Sequence, residues 1–217
     1  MCGVPYHSSD SYIARLVSKG YKVAICEQME DPALAKGLVK RDIIRVVTPG
    51  TVIESSMLQD DKNNYIASIY ITEKKAGVCF ADVSTGTAHA TVLTDEKLGP
   101  EIISELCRYS PSEVLFNAAI LDYKEVTAYI KQQLACSVEL LDEAAFAPDA
   151  CMEEMRAQFG DAPEKTAGLA PESPAFTALA VLLGYLKETQ KKGVERLKTV
   201  HNYAEAQYMQ LSPVTRA

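Results

Sequence analysis

Four carboxylates are spaced in a way that invites a phosphodiester-cleaving reading: Asp82 in FADVSTG, Glu101 and Glu105 in PEIISELC, and Glu113 at the head of EVLFN. Two-metal cleavage needs three or four such groups converging so that two ions sit about 4 Å apart. One should lie in the middle of the first sheet strand, one on the first helix and one at the end of the fourth strand. Here the first strand, NYIASIYI, carries no acid, and the fourth, EVLFN, ends in Asn117. Asp82 is better placed to organise the Ser84-Thr85-Gly86 turn that follows it. A metal-dependent nuclease or resolvase therefore stands as the alternative function, not the leading one.

Other reactive types are sparse. Asp-x-Ser-Thr-Gly is similar to a phosphate loop of sugar kinases, but a hairpin turn explains it better, and no GxxxxGK[ST] occurs. The six cysteines are scattered without a CxxC pair and read as reduced packing residues, Cys26 included, since Glu27 beside it opposes a thiolate. Three distant histidines give no zinc spacing. What remains is a basic group, Lys36, Lys40, Arg41 and Arg45, in a chain of net charge −7. Phosphate contact asks only for such cations with backbone N–H and hydroxyl groups, which the helix start at Ser8-Ser9 could add. A solvated face is the other reading of the same residues.

The elements that must position these groups divide by charge. Residues 1–52 hold seven Lys/Arg against five Asp/Glu, whereas 53–150 hold seven against sixteen. The change of sign near Val52 marks a boundary between units with different partners. In front, Ser8 or Ser9 starts a helix that Gly20 stops; YKVAICE and DIIRVVT are strands, and DPALAKG is a helical turn between them. That is too little to stand alone. A polar linker, 53–61, leads to three strands joined by short turns, NYIASIYI, AGVCFADVS and TAHATVL. Helix (96–109), strand EVLFN, helix (121–134) and strand CSVELL follow. A helix over 148–161, a Pro/Gly-rich loop and the apolar helix PAFTALAVLLGYLKETQKK come last, before weak strand signals. Three antiparallel strands and then alternating helices and strands give an α/β class, a mixed sheet of ribonuclease H-like order, preceded by a partial small α/β unit. No apolar run reaches the ~20 residues of a membrane span, and no secretory signal opens the chain, so a cytoplasmic place is expected.

Gly3-Val4-Pro5-Tyr6-His7, Val23-Ala24-Ile25-Cys26-Glu27-Gln28, Asp31-Pro32 and Val47-Thr48-Pro49-Gly50-Thr51, in that order, closely resemble the bacterial MutS family of DNA mismatch-repair proteins. Weaker likeness runs on through FADVSTG, SPSEVLF, AQFG and LGYLKETQKKGVERLK to MQLSPVTRA. The resemblance implies the rear of a mismatch-recognition domain in 1–52, a linker in 53–61, a connector domain of ribonuclease H-like fold in 62–190 and the start of a lever region in 191–217. It implies DNA-backbone contact by Tyr6, His7, Ser8, Lys36, Lys40, Arg41 and Arg45. It implies a MutL-docking surface, for which the exposed side of the 149–159 helix with Glu153 and Glu154 is the candidate. Neither the family's Phe-x-Glu mismatch reader nor its Walker motifs occur here, so the chain is expected to be no enzyme and to hold no cofactor. ATP, Mg²⁺, mismatched double-stranded DNA and a MutS homodimer belong to the expected parent.

Overall fold

The computed structural model describes residues 3–31, 37–54, 57–58, 62–94, 97–134, 136–191 and 194–203. Its centre is β4 (Ala76–Asp82), all seven residues of which are buried. Burial on both faces is what its small and apolar residues allow, and it requires a layer on each side. β3 (Tyr65–Ile71) and β5 (Thr87–Leu93) flank it antiparallel. β6 (Glu113–Phe116) lies parallel to β3, β7 (Ser137–Leu140) parallel to β6, and β8 (Thr199–Asn202) parallel to β5. The order β7-β6-β3-β4-β5-β8 is that of a ribonuclease H-like sheet with an added edge strand.

One face is covered by α2 (Leu98–Tyr109) and α3 (Lys124–Tyr129), whose Leu98, Ile102, Leu106 and Val126 pack on Ala67, Ile69, Val78 and Phe80. The other carries α4 (Pro148–Phe159) and α6 (Pro174–Gln190) over Ile66, Cys79, Ala81 and Leu115. Gly77 is where α6 comes closest: a Cβ there would lie 2.0 Å from the backbone of Pro174. Ser173 caps α6, its hydroxyl accepting from the Ala175 N–H at 3.3 Å.

The expected 121–134 helix is built differently. A 3-10 turn, Ala118–Asp122, precedes α3, and a π turn, Ile130–Leu134, follows it. Val126, Ile130 and Leu134 are four apart, a spacing that drifts by about 40° per step in an α-helix; the wider turn keeps all three toward the sheet. The Pro/Gly-rich loop contains a short helix, α5 (Pro163–Ala167), begun by Pro163 and ended by Gly168 at φ +67°.

The front unit consists of a 3-10 turn (Tyr6–Ser8), α1 (Ser9–Val17) and the antiparallel pair β1 (Val23–Gln28) and β2 (Arg41–Val47). The expected DPALAKG turn falls on 32–36, outside the described residues. β8 is seated by Tyr203, whose N–H bonds Ala90 O at 3.1 Å and whose hydroxyl donates to Glu105 on α2. His89 of β5 stacks on His201 of β8 at 5.1 Å between centroids.

Candidate nucleic-acid interface and the joint behind it

β2 changes character along its length, exposed over Arg41–Ile43 and buried by Val47. The hairpin therefore projects its Arg41 end, while Val47 packs with Val17 and Val52 in a small cluster that Ile13, Val23 and Ile25 complete. That gradient splits the basic group. Arg41, paired in register with Gln28, and Lys40 stand exposed at the outer end. The Lys40 N–H is held by Glu30 Oε1 at 2.6 Å, which fixes the turn without engaging the ammonium. Lys36 lies outside the described residues.

Arg45 is placed otherwise than expected. Its guanidinium pairs with Glu54, donates to Gln190 Oε1 at 2.7 Å and reaches Thr51 O at 3.3 Å. Burial works to raise the Glu54 pKa, yet the Arg45 hydrogen bond and charge prevail and leave it below the ordinary value. Gln190 also donates to Val46 O at 3.2 Å, and Lys191 donates to Ile43 O. Arg45 thus binds β2 to the end of α6, so its charge is spent inside the protein.

A second set of contacts lies beside this one. Glu113, fully buried at the start of β6, accepts at Oε2 from the Thr48 hydroxyl and from the Gly50 N–H at 3.2 Å. Its Oε1 accepts from the Tyr185 hydroxyl of α6 at 2.7 Å. Lys22 approaches the same oxygen at 3.8 Å and pairs with Glu139 on β7. Burial, then the Glu113 charge, push the Tyr185 pKa up, so the phenol stays a donor. Gly50 is required by closeness: a Cβ there would meet Glu113 Cβ at 2.8 Å and Ile66 Cβ at 2.9 Å. Sequence reasoning noted Glu113 only as an incomplete metal ligand and missed Thr48, Tyr185 and Gln190. The available signal was an acid at the head of a wholly apolar strand.

Register separates the other carboxylates. Asp82 pairs with Tyr65 and Glu113 with the next residue, Ile66, so the two side chains point to opposite faces of the sheet. Asp82 Oδ1 accepts from the Ser84 N–H at 2.9 Å, the Ser84 hydroxyl at 2.6 Å and the Thr85 N–H at 3.3 Å, the turn role expected of it. Glu105 is engaged by Tyr203. Asn117, where a nuclease would carry an acid, instead bonds both the N–H (3.0 Å) and the C=O (2.9 Å) of Ile71, closing the end of β3. No group of His, Cys, Asp and Glu that could hold a metal is present among the described residues.

The remaining expected residues are distributed as follows. Tyr6 (89% exposed) and His7 face solvent. The Ser8 hydroxyl donates to Pro5 O at 3.1 Å and that of Ser9 to Tyr6 O at 2.7 Å, so neither caps α1. Their bonds run back into the 3-10 turn, which leaves the first N–H groups of α1 without a side-chain cap. Glu153 is exposed, whereas Glu154 pairs with Lys187 of α6. Cys26 is exposed, a correction to its reading as packing: a register shift between Ile25 and Cys26 turns the strand there. Cys79 and Cys151 are buried, and burial raises their thiols to about 12 and about 11.

Comparison with known proteins matches residues 1–56 to MutS domain I and residues 64–200 to MutS domain II. The chain is 42% identical over 216 residues to a DNA mismatch repair protein MutS of Ruminiclostridium cellulolyticum, covering 100% of this chain and 24% of that protein. It is 41% identical over 220 residues to that of Acetivibrio thermocellus, again covering 100% and 24%. With that of Clostridium tetani the figures are 41% over 211 residues, 97% and 23%. The chain spans about a quarter of the length of these curated relatives.

Proposed function

The chain belongs to the MutS family, and from that premise we propose that it couples backbone contact with DNA in its front unit to a connector domain. In this reading 1–52 is the rear of the mismatch-recognition domain, 53–61 the linker, 62–190 the connector and 191–217 the start of the lever. Tyr6, His7, Ser8, Lys36, Lys40 and Arg41 meet phosphates. Arg45 holds the hairpin in place behind them. Such contacts position a protein without reading sequence. Mismatch reading and ATP hydrolysis with Mg²⁺ belong to other parts of the full-length homodimer. The connector carries the state of the front unit onward, with Glu153 on the side offered to MutL. Work in the cytoplasm on the nucleoid is part of the same reading, and no described helix is long and apolar enough to cross a membrane.

One observation carries the reading: the outer end of the β1–β2 hairpin bears exposed Lys40 and Arg41, while its inner end is bonded to β6 and α6 through Glu113, Arg45 and Gln190. The test is duplex binding by this chain at low and moderate salt, with matched and mismatched DNA. Weak, salt-sensitive binding that ignores the mismatch and disappears in Lys40→Ala/Arg41→Ala supports it. Binding that survives the double substitution, or none at any salt, overturns it.

A further inference from the structure

On the side of the front unit away from the hairpin end, a cleft of about 1100 Å³ opens between α1 and the connector. Its walls are the last turn of α1 and Gly20, the Pro49–Val52 turn, the linker around Met57 and Leu58, and the loops that lead into β6 and β7. Arg15, Lys19 and Lys62 line it, all three exposed. None of the three takes part in an ion pair among the described residues. The cations of the joint behave differently, since Lys22 is matched by Glu139 and Glu113 and Arg45 by Glu54. No carboxylate is among the described lining residues, and Glu113 and Glu139 are occupied by Lys22. Ser110, Ser112 and Ser137 add hydroxyls to the rim, and that of Ser137 is engaged by no other described residue.

We propose that this cleft binds phosphate groups, Arg15, Lys19 and Lys62 supplying the charge and Ser137 a neutral donor. Three cations with no ion-pair partner among the described residues, facing one recess, repel each other, and an anion between them removes that cost. The lining also carries Ser18, Asn63, Asn64 and Cys136 beside the aliphatic Val17, Val52, Met57, Leu58 and Leu134, with no aromatic ring among its described residues. Base stacking therefore has no platform here, and the ligand is held by its phosphates alone. A DNA backbone and a free nucleotide share this chemistry; the DNA case rests on the function proposed above, the nucleotide case does not.

The test uses the chain as it stands, with Arg15→Ala/Lys19→Ala/Lys62→Ala against Lys124→Ala/Lys131→Ala/Lys165→Ala, an equal charge change at exposed sites elsewhere. Two probes are read: a labelled matched duplex by anisotropy across a salt series, and ADP by calorimetry. Circular dichroism checks that both variants fold. If DNA is the ligand, the cleft variant alone lowers the slope of log K against log salt by about two to three, near 0.9 per phosphate lost. If a nucleotide is the ligand, ADP binding disappears in the cleft variant alone while duplex binding is unchanged. The proposal is overturned if neither probe distinguishes the two variants, or if neither binds the native chain. Duplex binding lost in Lys40→Ala/Arg41→Ala but unchanged in the cleft variant, with no ADP effect, sinks the cleft and leaves the proposed function standing. ADP binding at the cleft with no duplex binding anywhere does the reverse.

Discussion

Tyr185 on α6 donates its hydroxyl to Glu113 Oε1 at 2.7 Å, while the other oxygen of the same carboxylate takes the Thr48 hydroxyl and the Gly50 N–H. One buried side chain at the head of β6 therefore ties a helix of the connector to the turn that ends the front unit. Removing it strands two hydroxyls and an amide. Glu113→Ala should cost about 3–5 kcal/mol in urea unfolding, and Glu113→Gln less, because the amide oxygen still accepts. Tyr185→Phe and Thr48→Val should be non-additive in a double-mutant cycle, since both act through one carboxylate. An additive cycle would mean that the two contacts are independent.

Arg45→Ala should loosen the joint as well as remove a charge. Glu54, Gln190 and Thr51 O lose a shared partner, for a destabilisation of about 1–3 kcal/mol. Lys40→Ala/Arg41→Ala, at the exposed end, should stay within about 0.5 kcal/mol of native. Thermal melting of the two variants side by side separates a structural arginine from surface cations. Equal melting temperatures would argue against the joint role.

Acid should weaken the seat of β8. Burial first, then His201 and Arg108, hold the His89 pKa below the ordinary histidine value. Around it lie Tyr65 of β3, Tyr109 and Arg108 of α2, and His201 of β8, with Glu105 bonded to Tyr203 nearby. A depressed histidine binds fewer protons folded than unfolded, so stability is full above about pH 6.5 and falls as pH drops from there toward the folded pKa. His89→Gln should flatten that part of a stability–pH profile. An unchanged profile would assign the acid sensitivity to other groups.

Gly77→Ala should be the most damaging of the small substitutions. The added methyl would overlap the Pro174 backbone at the start of α6, and neither β4 nor the helix can retreat without opening the core. A loss of at least about 1–3 kcal/mol is expected in denaturant unfolding, against almost none for Gly3→Ala, which has open space around it.

Much of this was open to reading in the sequence by itself. The short turns that join β3, β4 and β5, the Pro-started helices and the turn residues after Asp82 are local signals, and they set the element order and the ribonuclease H-like class. The ordered run from Gly3 to Thr51 set the family. Less local features were not decided there. Lys40, Arg41 and Arg45 look alike within six residues of chain, and only the docking of β2 on α6 makes the first two exposed and the third a brace. Asp82 and Glu113 look like partners for a metal until the strand register sends them to opposite faces. Gln190 and Tyr185 gain a role only because residues 145 positions from Arg45 and 72 from Glu113 are brought into contact. Sequence fixes what each residue can donate, accept or bury. Which partner it meets depends on strand register and helix docking, which are settled by burial summed over the whole chain.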